Sequence, residues 1–122
     1  FRFIDGVEAQ ALEIWKRAAS ISGELFALAD KLEEKKLFRF AEQLRAATLS
    51  ITNNIAEGSG SSSDTDFANF LNIARRSVFE VANILMILSK ENYLPFERIQ
   101  KLLSELEEQS RMLLAFRRTL KS

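Results

Sequence analysis

The chain has 122 residues, 47% of them apolar and 28% charged, which suits one domain with its own hydrophobic core and is too short for two of ordinary size. Cysteine and histidine are both absent, so thiol nucleophiles, disulfides, the usual zinc sites and imidazole-based catalysis are excluded. Seventeen Lys and Arg balance seventeen Asp and Glu; with no net field to draw the chain to nucleic acid or an anionic membrane, any basic site must be local.

Four Gly and one Pro leave long segments without a breaker. The first predicted helix covers about residues 7–32, where Val7, Ala11, Ile14, Ala18, Ile21, Leu25, Leu28 and Leu32 alternate steps of four and three, a heptad seam. The second, about residues 37–57, repeats the rhythm through Leu37, Ala41, Leu44, Thr48, Ile51 and Ile55 and is expected to stop with Gly58 as its C′ residue. The third, about residues 65–91, runs through Phe67, Leu71, Ala74, Val78, Val81, Leu85 and Leu88, with its N-cap among Ser63, Asp64 and Thr65 and with acids Asp64 and Asp66 suited to the helix dipole. The fourth begins near Pro95, a residue fit for a first helical turn, and carries Ile99, Leu102, Leu103, Leu106, Leu113 and Leu120. Short connections, about residues 33–36, 58–64 and 92–94, favour antiparallel neighbours. The expected fold is all-α: one antiparallel up-down-up-down four-helix bundle over residues 1–122.

No apolar run approaches the roughly 18 residues of a membrane span, and no signal-peptide pattern opens the chain. The expectation is a cytoplasmic protein with no membrane partner, although a first residue of Phe rather than Met leaves the natural start open.

A helix of a monomeric bundle needs one apolar stripe and keeps a wide polar face. The third helix does not: between Phe67 and Leu88 its polar residues Asn69, Asn72, Arg76, Glu80 and Asn83 collapse onto one narrow stripe, with Phe70, Phe79 and Met86 left over. The first helix adds a flanking ridge of Leu12, Trp15, Ala19 and Phe26, and the second adds Phe38, Leu49 and Ala56. Secondary ridges on three helices point to subunit contacts through Trp15, Phe26, Phe38, Leu49, Phe70, Phe79 and Met86, hence to a homo-oligomer. The alternative is that a thick bundle core consumes them.

Glu57 and Glu80 are the carboxylates of interest for acid–base or metal chemistry, but the Glu-x-x-His element of di-iron bundles cannot exist without histidine. Hydrogen bonding that fixes helix register explains them better, with Arg76 an i, i+4 partner for Glu80. Neither metal nor cofactor is expected. Gly58-Ser59-Gly60 leads into a helix N-terminus, where backbone N–H groups can hold a phosphate, but it lacks a Walker lysine and reads better as a turn. Arg75 with Arg76, and Arg117 with Arg118, are local basic pairs able to meet RNA phosphates; a solvated, salt-bridged surface is the plainer reading of any single one. Asn53 and Asn54 are poor helix formers late in the second helix, so polar contacts to the third helix are expected to favour them.

The strings Gln43-Leu44-Arg45-Ala46-Ala47, Ser50-Ile51-Thr52-Asn53-Asn54-Ile55-Ala56-Glu57-Gly58 and Phe67-Ala68-Asn69-Phe70-Leu71-Asn72-Ile73-Ala74-Arg75, with Ser77 and Glu80, resemble the four-helix-bundle proteins encoded in intervening sequences of bacterial 23S rRNA genes. Trp15 and Arg111-Met112-Leu113 are similar to weaker family features, so the resemblance covers most of the chain. Ala46 stands where the family often has a second Arg, Ser61 where a basic residue is frequent, and Arg76 where Gly is common. The resemblance implies no enzymatic activity, a polar junction of Asn54, Glu57, Ser77 and Glu80 between the second and third helices, and assembly into a ring, most simply a pentamer, as in related accessory proteins of diversity-generating retroelements. It also implies an alternative in which the ring is an RNA-binding module or a partner of a nucleic-acid-handling protein such as a reverse transcriptase, with Arg45, Arg75, Arg76, Arg117 and Arg118 on phosphates. Those relatives are strongly basic, whereas this chain is neutral.

Overall fold

The computed structural model of the chain describes residues 6–120, and side chains from Ala9 onward. It has four helices: α1 (Gly6–Glu34), α2 (Phe38–Ser59), α3 (Asp64–Lys90) and α4 (Phe96–Thr119). Helix α1 packs on α2, α2 on α3 and α3 on α4, while α1 and α4 approach each other less closely. Contacts run in opposite senses along the α2/α3 and α3/α4 pairs: Ser50 meets Ser77 while Gly58 lies against Phe67, and Arg75 meets Ser110 while Arg117 meets Ala68. This is the antiparallel bundle that short connections favour.

The seams read from the sequence are the core. Every described seam position of α1 from Ala11 to Leu32 is buried, and Leu25, Leu32, Leu44, Ile51, Ile55, Leu71, Leu85, Leu88, Ile99, Leu106 and Leu113 are almost wholly removed from solvent. Each such side chain contributes roughly 1.5–3 kcal/mol of transfer free energy, which sets the bundle's cohesion against chain entropy. The seam in α4 skips from Leu106 to Leu113, and the position between them is filled by Gln109, also fully buried.

The turns carry the detail. Helices α1 and α3 end in the same way: Lys36 and Asn92 sit at positive φ (65° and 63°), with Leu37 N–H donating to Leu32 O, Lys36 N–H to Glu33 O, Tyr93 N–H to Leu88 O and Asn92 N–H to Ser89 O. This paired pattern satisfies two orphan carbonyls at each helix end and usually puts glycine where Lys36 and Asn92 stand. At the start of α3, Ser63 is the N-cap, its Oγ accepting from Asp66 N–H at 3.1 Å. Pro95 is the N-cap of α4 in extended geometry and the helix proper begins at Phe96, one residue later than a first-turn proline implies.

Gly58 corrects the expected C′ assignment. It lies inside α2, which runs on to Ser59, and none of the described glycines has a positive φ. Its role is space: a Cβ there would fall 2.8 Å from Phe67 Cδ1 and 2.8 Å from Phe70 Cβ. Helix α3 therefore approaches α2 more closely at Gly58 than any larger residue allows.

Candidate functional site

The residues singled out from the sequence distribute over three seams. On the α2/α3 seam a hydroxyl relay crosses between helices. Asn54 Nδ2 donates to Ser50 O (2.7 Å) and Ser50 Oγ (3.0 Å), the hydroxyls of Ser50 and Ser77 lie 2.7 Å apart, and Ser77 Oγ donates to Ile73 O (3.2 Å). A hydroxyl has one proton, and Ser77 spends its own on Ile73, so Ser50 is the donor to Ser77. Asn54 thus bonds only within α2, and the link to α3 runs through Ser50. Small side chains at Ser50, Gly58 and Ser77 let the two helices approach while the relay pins their register.

Glu57 and Glu80 do not join that junction. Both are exposed, and neither side chain makes a hydrogen bond or ion pair among the described residues. With Ser50 level with Ser77, Glu57 stands level with Phe70, ten residues from Glu80, or about 15 Å along the axis. The i, i+4 pair expected between Arg76 and Glu80 does not form either; two exposed, long side chains gain too little from pairing to hold one geometry.

The five arginines also separate. On the α1/α2 seam, Arg45 bonds Asp30 at 2.7 Å and Glu33 at 2.8 Å, and these carboxylates, Asp30 first, raise its pKa further above the ordinary guanidinium value. On the opposite, α3/α4 seam, Arg75 Nε donates to Ser110 Oγ (3.1 Å) with its guanidinium 5.2 Å from the Phe79 ring centre, and one heptad away Arg117 Nε donates to Ala68 O (3.1 Å). Arg76 and Arg118 are exposed without a protein partner among the described residues.

The surplus apolar residues fall on the same two opposite seams. Trp15 and Phe26 share the shoulder of α1 that carries Glu33, while Phe38 and Leu49 share the shoulder of α2 that carries Arg45; Phe38 is 56% and Leu49 49% exposed. Phe79 and Met86, both more than half exposed, share the shoulder of α3 that carries Arg75. Phe70 belongs to neither strip: it is half-buried beside Gly58 on the α2/α3 seam.

Open hollows mark the surface of the described residues. One, of about 450 Å³, lies between α1 and α4 over Ile14, Met112 and Phe116. Another, of about 420 Å³, lies between α2 and α3 over Phe40, Ile84 and Ile87, with Arg39 and Glu80 on its rim. Among the described residues no three acidic side chains gather as a metal ion would require, and no helix is long and apolar enough to cross a membrane.

Residues 10–115 match the family model of the 23S rRNA-intervening sequence protein. The chain belongs to that family. Among solved structures it is similar to a protein of unknown function from the S23 ribosomal protein family of Bacteroides thetaiotaomicron, with a TM-score of 0.84 and 24% identity, covering 89% of this chain and 98% of that one. A comparison with curated proteins finds no match. The family match spans both the Ser50 relay and the Arg75–Ser110 contact.

Ser50 and Gln109 are positions to which the sequence assigned no role of their own. Ser50 opens the Ser-Ile-x-x-Asn-Ile string, and Gln109 fills the seven-residue gap in the α4 seam. Gln109 Nε2 donates to Ile14 O across the core (3.3 Å), while its Oε1 has no partner among the described residues.

Proposed function

We propose that this family member is a non-enzymatic, homo-oligomeric building block, a ring of bundles in the cytoplasm, with five copies as the number its sequence resemblance implies. One observation carries the reading: exposed apolar residues lie on opposite seams, Phe79 and Met86 on one side and Phe38 and Leu49, beside half-buried Phe26, on the other. Two different patches on opposite faces are the requirement for a heterologous, head-to-tail contact, which closes into a ring when the rotation permits. Sedimentation equilibrium at low micromolar protein tests it. A particle of several times 13.9 kDa is expected, shifting toward the monomer in Phe79→Glu; a wild-type particle of 13.9 kDa overturns the reading.

RNA binding by the ring is the second reading, and the uncommitted guanidinium groups of Arg76 and Arg118 favour it. Phosphate contacts predict an affinity that falls steeply as salt rises. In a salt-titrated RNA-binding assay, Arg76→Ala with Arg118→Ala is expected to flatten the slope, whereas Arg45→Ala, whose guanidinium is already engaged by two carboxylates, leaves it unchanged. Absence of binding near physiological salt removes this reading and leaves the first intact. The kinship with retroelement accessory proteins rests on the sequence resemblance.

A further inference from the structure

The α2/α3 seam is not used by the ring just proposed, yet it carries the second hollow with its own charge pattern. Arg39 and Gln43 line it from α2; Glu80, Asn83 and Ile87 line it from α3; Phe40 and Ile84 form its floor. Arg39, Gln43, Glu80 and Asn83 make no side-chain hydrogen bond or ion pair among the described residues, while Arg45, Arg75, Arg111 and Arg117 are all committed to protein acceptors. Ile87, level with Phe40 near the Arg39 end of this face, is 39% exposed.

The arrangement is antisymmetric about its middle. The Ser50–Ser77 contact sets Arg39 level with Leu88, eight residues along from Glu80, or about 12 Å. Halfway between them Gln43 stands level with Ile84, beside Asn83. Positive charge thus lies at one end with Phe40 and Ile87 beside it, negative charge at the other, and Ile84 with two carboxamides at the midpoint. A surface of this kind matches itself after a half-turn about an axis through the midpoint, because an isologous contact brings residue i against j and j against i.

We infer that this face is an isologous dimer surface whose partner is a second copy of the chain. The two-fold axis passes at the level of Ile84 and Gln43. Each Arg39 meets the Glu80 of the other copy, the apolar floor of Phe40, Ile84 and Ile87 is covered, and the Gln43 and Asn83 carboxamides supply matched donors and acceptors. The surface is separate from the opposite seams that the ring would use, so it pairs subunits or whole rings without competing for them. It does not depend on the ring existing.

The test uses the full chain, which has no cysteine of its own. Asn83→Cys puts a single thiol beside the axis, and mild oxidation is expected to give a disulfide-linked dimer at low micromolar protein, much faster than Ser20→Cys on the exposed face of α1. In sedimentation velocity, Arg39→Glu alone and Glu80→Arg alone each replace two attractions by two repulsions and are expected to weaken the dimer about tenfold or more. The double variant R39E/E80R restores both pairs and is expected to recover wild-type association. Failure of Asn83→Cys to cross-link, or failure of the double variant to rescue, overturns the two-fold pairing. A large particle in which neither effect is seen leaves the ring standing and refutes only this inference, whereas a cross-linking dimer with no larger particle refutes the ring and keeps the pairing.

Discussion

Replacing Gly58 by alanine would set a Cβ 2.8 Å from Phe67 Cδ1 and 2.8 Å from Phe70 Cβ, with Phe67 Cε1 at 3.3 Å. Ordinary contact begins near 3.4 Å, so α3 must move away by about 0.6 Å, and rotation of the Phe67 ring cannot relieve it because Phe70 Cβ is fixed to the α3 backbone. Overpacking of this kind costs about 1–3 kcal/mol. Against it stands the helix-propensity gain of Gly→Ala, about 1 kcal/mol. We expect Gly58→Ala to lose up to about 2 kcal/mol net, a fall in Tm of up to roughly 10 °C for a domain of this size. Gly23 supplies the control: it is also inside a helix, but nothing lies within 4 Å of its added Cβ. Gly23→Ala therefore keeps the propensity term alone and should gain about 0.5–1 kcal/mol. Urea unfolding of both variants at one fixed protein concentration, followed by far-ultraviolet circular dichroism, reads the two signs directly. Equal stabilisation by both substitutions would refute the claim that Gly58 serves close helix approach.

Lys36→Gly should raise stability by about 0.5–1 kcal/mol, since a side chain at φ 65° is released from left-handed strain; an unchanged or lower urea midpoint contradicts this. Gln109→Leu removes a fully buried amide whose Oε1 is unpaired and should stabilise by about 1 kcal/mol. A loss there would mean that the bond to Ile14 O outweighs the unpaired acceptor. Asn54→Ala breaks both bonds to Ser50 and should cost about 1 kcal/mol, while Glu57→Ala, exposed and unpartnered, should stay within about 0.5 kcal/mol of wild type. Equal losses in these two thermal melts would restore Glu57 to the junction.

The helical character, the four segments and nearly the whole core were written in the linear pattern. An apolar residue every three or four positions can be hidden only on one face of a helix, so Ala11 to Leu32, Ala41 to Ile55, Phe67 to Leu88 and Ile99 to Leu113 predict their own burial. Ser63 and Pro95 marked helix starts because capping and the loss of a backbone N–H are local effects, legible within four residues. The pairing between helices was not legible. Arg45 had no sequence signal directing it to Asp30 and Glu33 rather than to a phosphate, nor Arg75 one directing it to Ser110, because those partners lie 12 or more residues away. Glu57 and Glu80 looked like companions of Asn54 and Ser77, yet the rotation and register of α2 on α3 leave both facing solvent. Gly58 reads in sequence as a helix terminator and is in fact a helix contact, since only the neighbouring helix makes its missing side chain matter. Periodicity along one chain decides which face is buried; which residues then meet across that face depends on axial register and close approach, and these exist only once two helices are packed.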